Sequence, residues 1–122
     1  MEVEALRILL VAKEKDELRR CKEYIGEFYP DGQLACFESS EAAAEYVDEH
    51  DLDICFTDIV LSPITGIALL KRIRAKNTNA KVVFLAEDTS FALEAWRVYA
   101  NDFLLKPITR EKIEHATLKI NE

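Results

Sequence analysis

Little in this chain bends, cross-links or coordinates. Its 122 residues include only three glycines and three prolines, which leaves no room for long flexible linkers or low-complexity segments. Three cysteines, Cys21, Cys36 and Cys55, are odd in number and make no C-x-x-C pair. That pattern indicates neither a disulfide framework nor a zinc site. Each cysteine lies in an apolar run and reads as a small buried hydrophobe of a reducing compartment. The two histidines, His50 and His115, stand apart and offer no metal pair. No apolar run approaches the ~20 residues of a membrane span, and no charged-then-apolar leader opens the chain. The expected location is therefore cytoplasmic, away from membranes. Positive charge is also scarce: 16 Lys and Arg stand against 23 Asp and Glu, for a net charge of −7. A nucleic-acid surface needs a basic face, so no direct contact with nucleic acid is expected. The single basic cluster, Lys71, Arg72, Arg74 and Lys76, reads as the wet face of a helix.

What is present is a strong apolar pattern. Hydrophobic residues make up 49% of the chain, enough for the core of a single domain over 1–122. Continuous apolar runs predict strands over 6–11, 33–37, 53–57, 81–86 and 102–105. Between them, apolar spacings of three and four predict helices over about 16–28, 41–48, 66–76, 90–99 and 109–120. In the first helix Leu18, Cys21, Ile25 and Phe28 trace one face. Tyr29-Pro30-Asp31-Gly32 is turn chemistry. Ser39, Ser40 and Thr109 stand where helix caps belong. Strands that are apolar throughout imply a sheet covered on both faces, and strand–helix alternation implies parallel pairing. The fold class is therefore α/β, a three-layer sandwich.

Open parallel sheets place their sites at the carboxyl ends of the strands. The third strand ends in Asp58 and the fifth in Lys106-Pro107, so an acid and an ammonium share one rim. Thr57, Lys13, Glu14, Ala86 and Glu87 lie nearby. The first strand is followed by Ala12-Lys13-Glu14-Lys15-Asp16, without glycine, so a dinucleotide fingerprint is absent. The small residues of a flavin-phosphate loop are missing too, which disfavours a small-molecule-binding flavodoxin-like domain. Neither histidine follows a strand end, so no nucleophile–base constellation forms and no enzyme activity is expected.

In these stretches the chain resembles the receiver domains of bacterial response regulators. The matching residues are Ile8-Leu9-Leu10-Val11, Asp53 through Asp58, Gly66 through Arg74, and Asp102 through Ile108. Phe91-Ala92-Leu93-Glu94-Ala95-Trp96, with Phe103 through Ile108, is most similar to receivers that precede LytTR-type DNA-binding domains. The resemblance implies a flavodoxin-like (CheY-like) fold: a five-stranded parallel sheet of order 2-1-3-4-5 with five helices. It implies two-component phosphorelay signalling, with Asp58 as phosphoacceptor and Lys106 contacting the acyl phosphate. Ala86 and Phe103 fall at the switch positions, and Val60 would offer its carbonyl to Mg2+. A cis peptide before Pro107 is expected. Implied partners are a sensor histidine kinase or another signalling protein, and a second copy docking through the fourth helix, fifth strand and fifth helix. A C-terminal DNA-binding domain in a longer protein is also implied.

The departures from the family cluster at this rim. The acidic pair that binds Mg2+ is replaced by Ala12 and Lys13. The switch hydroxyl is replaced by Ala86, and Ser62-Pro63 stands where proline usually comes one residue earlier. Asp58, Lys13 and Lys106 alone carry one excess positive charge without any metal. Ammonium groups repel a divalent cation, by roughly 4 kcal/mol per unit-charge pair at 4 Å and a dielectric of 20, and supply none of the oxygen ligands it needs. No bound cofactor is therefore expected. If Mg2+ binds at all, Asp58 and Val60 are the ligands left, with Glu14 as the rescue. We expect the Lys13 ammonium to pair with Asp58 in the metal's place; the plainer alternative points it at solvent. On these residues a phosphorylation-independent pseudo-receiver, acting as a protein-interaction or dimerisation module, stands beside the phosphorelay reading. Trp96 and Tyr99 read as core and rim packing.

Overall fold

The computed structural model describes residues 5–121. Among the described residues, strands and helices alternate: β1 (Arg7–Val11), α1 (Lys15–Phe28), β2 (Gln33–Phe37), α2 (Ser40–Glu49), β3 (Ile54–Asp58), α3 (Gly66–Lys76), β4 (Lys81–Ala86), α4 (Ala92–Arg97), β5 (Asp102–Leu105) and α5 (Arg110–Ile120). The strands form one parallel sheet in the order β2-β1-β3-β4-β5, the expected flavodoxin-like arrangement.

Side chains alternate across a strand, and both faces are apolar. Ile8, Leu10, Phe56, Val83 and Leu85 pack under α1 and α5, against Cys21, Ile25, Ile113 and Ala116. Leu9, Val11, Cys55, Val82 and Phe84 pack under α2 and α3, against Ala43, Val47, Leu69 and Ile73. Cys21 and Cys55 are fully buried, whereas Cys36 is half-buried. Burial pushes the Cys21 thiol up to about 12 and raises Cys55 further, so both are inert hydrophobes.

The caps form largely as expected. Ser39 Oγ accepts from the Ala42 amide at 3.2 Å and Thr109 Oγ1 from the Lys112 amide at 3.2 Å. Ser40 instead holds the loop before α3, accepting from the Ile64 amide at 3.2 Å. The peptides before Pro63 and Pro107 are cis.

Two expectations fail on the α3–α4 side. The basic cluster is not simply a wet face. Arg74 turns inward and donates to the carbonyls of Val98 (2.6 Å), Tyr99 (2.9 Å) and Ala80 (3.3 Å). Lys76 Nζ donates to the Asp48 carbonyl at 3.0 Å. Helix α4 is also much shorter than the apolar pattern predicts, and among its described residues only Ala95 is buried. Trp96 is 79% exposed and Tyr99 is 83% exposed, so neither is core packing.

The reason α4 stops early is visible in its last turn. The Ala100 amide donates to the Ala95 carbonyl at 3.1 Å and the Tyr99 amide to the Trp96 carbonyl at 3.0 Å. Those two bonds make a Schellman motif with Tyr99 at its left-handed position, φ 57°, where glycine normally sits. A tyrosine there strains its backbone by about 1 kcal/mol. Tyr99→Gly should therefore raise the thermal midpoint by about 3–5 °C, measured by differential scanning calorimetry.

Candidate functional site

The register of the sheet brings the rim together. Val11 pairs with Thr57, Asp58 with Leu85 and Ala86 with Leu105. The residues just past or at the strand ends, Ala12, Asp58, Ala86 and Lys106, therefore converge. Asp58, Ala86 and Lys106 border a small cleft of about 120 Å3, lined also by Lys13, Val60 and Phe91.

Asp58 lies on the floor, 1% exposed. Its Oδ2 accepts the backbone amide of Lys13 at 2.9 Å. Its Oδ1 lies 2.9 Å from Lys106 Nζ. That same ammonium lies 3.1 Å from Oε1 of Glu17, a residue of α1 that is itself buried. The contacts are short but not aligned as hydrogen bonds, and neither carboxylate oxygen has another partner among the described residues.

Burial alone pulls the Lys106 pKa down, but the Asp58 and Glu17 carboxylates outweigh it and hold it above the ordinary lysine value. Burial likewise pushes the Glu17 carboxyl up, against the pull of Lys106. The site is thus a buried triad of two acids sharing one ammonium.

Lys13 does not form the expected pair with Asp58. Its backbone holds the acid, while its side chain turns across the mouth of the cleft. There Nζ donates to the Val60 carbonyl at 3.2 Å. The physical reason is that Lys106 already lies against Oδ1 and a backbone amide already fills Oδ2. A partly exposed carbonyl is the next acceptor in reach. Glu14 is exposed, makes no side-chain cap for α1 and does not enter the cleft. Ala86 is buried at 5% and Phe103 is half-buried, packed with the α2–α3 core.

Glu17 is the residue that sequence reasoning missed. A signal existed: Glu17, Cys21 and Ile25 are spaced by four, so they share the buried face of α1. Reading that face from Leu18 rather than from Glu17 hid the acid. With Glu17 included, two carboxylates stand against the two ammonium charges of Lys13 and Lys106, although only Lys106 touches them. The excess positive charge anticipated from the sequence is cancelled.

Comparison with known proteins settles the family. The model of the response regulator receiver domain matches residues 8–118. The chain belongs to that family. This receiver is 32% identical over 111 residues to the sensory transduction protein LytT of Bacillus anthracis, an alignment covering 88% of this chain and 44% of LytT. It is 29% identical over 118 residues to the transcriptional regulatory protein RprY of Bacteroides fragilis, covering 90% and 47% respectively. The receiver thus spans less than half the length of these relatives. Solved structures agree on the fold. The REC domain of AraT from Geobacillus stearothermophilus superposes with a TM-score of 0.84 at 24% identity, covering 96% of this chain and 93% of that one. The BeF3-activated DrrB receiver domain gives 0.82 at 19% identity, covering 97% and 98%.

The residues at the rim do not fit the Mg2+ that the family implies. A hard cation needs about six oxygens in tight geometry. Ala12 and Lys13 supply no side-chain oxygen, the Val60 carbonyl is taken by an ammonium, and one Asp58 oxygen is taken by an amide. Among the described residues no cluster of three His, Cys, Asp or Glu could hold a metal.

Proposed function

We propose that this receiver acts without phosphorylation, as a protein-interaction module of two-component signalling. The observation that carries the reading is the Lys13 ammonium seated on the Val60 carbonyl, where the resemblance implies a metal ion. Phosphoryl transfer to a carboxylate depends on positioning and on neutralising charge on the transferring group. This site offers too few free oxygen ligands for the first and no spare cation for the second. Ala86 adds no hydroxyl to receive a phosphoryl oxygen.

The interaction surface we assign to this module is the face of α4, β5 and α5. Leu93, Trp96 and Tyr99 on and after α4, Leu105 on β5 and Leu118 on α5 are all exposed. Aromatic anchors of this kind are typical of interface centres, and the strained Tyr99 backbone is retained there at a cost in stability. LytT and RprY are each about twice the length of this chain. An output segment joined to the receiver in a longer protein, binding DNA as the resemblance implies, belongs to the same proposal.

The direct test is incubation with acetyl phosphate and Mg2+, followed by intact mass. The wild type should gain no phosphoryl group. Ala12→Asp with Lys13→Asp should restore uptake at Asp58. Modification of the wild type at Asp58 would overturn the reading.

A further inference from the structure

We propose that Glu17 is a built-in counter-anion: it claims Lys106 from beneath and so excludes a phosphoryl-like oxyanion from Asp58. This deepens the phosphorylation-independent reading and rests on it, by naming the residue that closes the site rather than the ligands that are missing.

The burial of Glu17 is the first observation. Glutamate is almost never fully buried unless paired, yet Glu17 sits 3% exposed on the face of α1 that also carries Cys21 and Ile25. An apolar side chain would fill that slot without desolvating a charge. The protein therefore carries an acid where packing alone asks for none, and that acid contacts a single cation.

The identity of that cation is the second observation. Lys106 Nζ lies 2.9 Å from Asp58 and 3.1 Å from Glu17, with its side chain only 14% exposed. An oxyanion arriving above Asp58 needs positive charge to offset its own. Without Glu17, Lys106 would balance Asp58 alone. With Glu17, the triad carries one net negative charge, Lys13 brings the rim only to zero, and an incoming anion finds no spare positive charge. The other cation, Lys13, is engaged with the Val60 carbonyl. Glu17 is a positioning residue in this account. It acts through Lys106 and touches no ligand.

The test separates this inference from the reading it rests on. Beryllofluoride with Mg2+ serves as the oxyanion probe, and its affinity is read by calorimetry or amide chemical shifts. The wild type should not bind it; binding would sink the phosphorylation-independent reading. A variant with restored ligands, Ala12→Asp, Lys13→Asp and Ala86→Thr, should bind weakly. Adding Glu17→Leu to that variant should tighten binding by about 10–30-fold, the effect of removing one like charge at roughly 8 Å. A purely structural role for Glu17 would give the opposite sign, because a damaged site binds less. Equal affinity with and without Glu17 would overturn the inference and leave the broader reading standing. If the leucine variant does not fold, Glu17→Gln keeps the shape, removes the charge and carries the same expectation.

Discussion

Lys106→Met should destabilise the domain by about 3–5 kcal/mol, the usual cost of leaving buried charges without their partner. Methionine keeps the length of the stem, so the loss reports the charge and not a cavity. Two carboxylates, 1% and 4% exposed as side chains, would then face each other with no cation between them. A domain of this size has roughly 5–15 kcal/mol in total, so the variant should be close to unfolding at 37 °C. Glu17→Leu added to it should return much of the loss. Urea denaturation at neutral pH measures both. A loss below about 1 kcal/mol would mean that the triad behaves like an exposed ion pair.

The same variant should show a distinctive pH dependence. Burial lifts the Glu17 carboxyl above its ordinary value of 4.5. The folded state therefore binds this proton more readily than the unfolded chain. Its stabilising contribution is complete below that ordinary value and is lost as pH rises through the raised one. Lys106 is what limits the shift. Without it, stability should fall more steeply with rising pH across this window, and part of the deficit should vanish as pH drops toward 4.5. The Lys106 pKa is itself raised by Asp58 and Glu17. The wild-type benefit of the triad should therefore persist through neutral pH and fade only in the alkaline range above the ordinary lysine value.

Gly66→Ala should be the next most damaging change, at about 3 kcal/mol. Gly66 begins α3, and its amide donates to the Ile59 carbonyl at 3.1 Å. A methyl group there would overlap the Asp58 carbonyl oxygen and lie 2.8 Å from the Ile59 Cα. Both are backbone atoms at the end of β3, so neither can rotate away. Relief requires moving α3 or the strand end that carries Asp58. The effect should thus register twice, in a lower urea midpoint and in shifted amide resonances at Lys13 and Asp58. A variant that melts with the wild type would show that the helix start has slack.

Much of this molecule could be read from local pattern. Continuous apolar runs mark strands covered on both faces, and the spacing of Leu69, Leu70 and Ile73 marks a helix on the sheet. Each signal depends on a few neighbouring residues. The acid of Asp58 and the ammonium of Lys106 were legible for the same reason, since each sits at the end of its own strand. Helix α4 was misread because its apolar residues suggested burial, while its stop is a left-handed backbone at Tyr99 held by Arg74. Nothing in the local pattern around Tyr99 announces that conformation, and the Arg74 clamp joins residues 24 and 25 positions apart.

From the amino-acid order alone came the alternating architecture, the rim with its acid and its lysine, and the loss of oxygen ligands at Ala12, Lys13 and Ala86. Those are properties of residue types and short-range periodicity. Which cation meets which acid was settled only in three dimensions. Lys106 could serve Glu17 because its side chain reaches from beyond β5 to both Asp58 and the face of α1, and Lys13 could turn to Val60 because Lys106 and a backbone amide already hold Asp58. Such choices depend on distances between segments far apart in the chain, and on competition for a few buried oxygens that no linear pattern ranks.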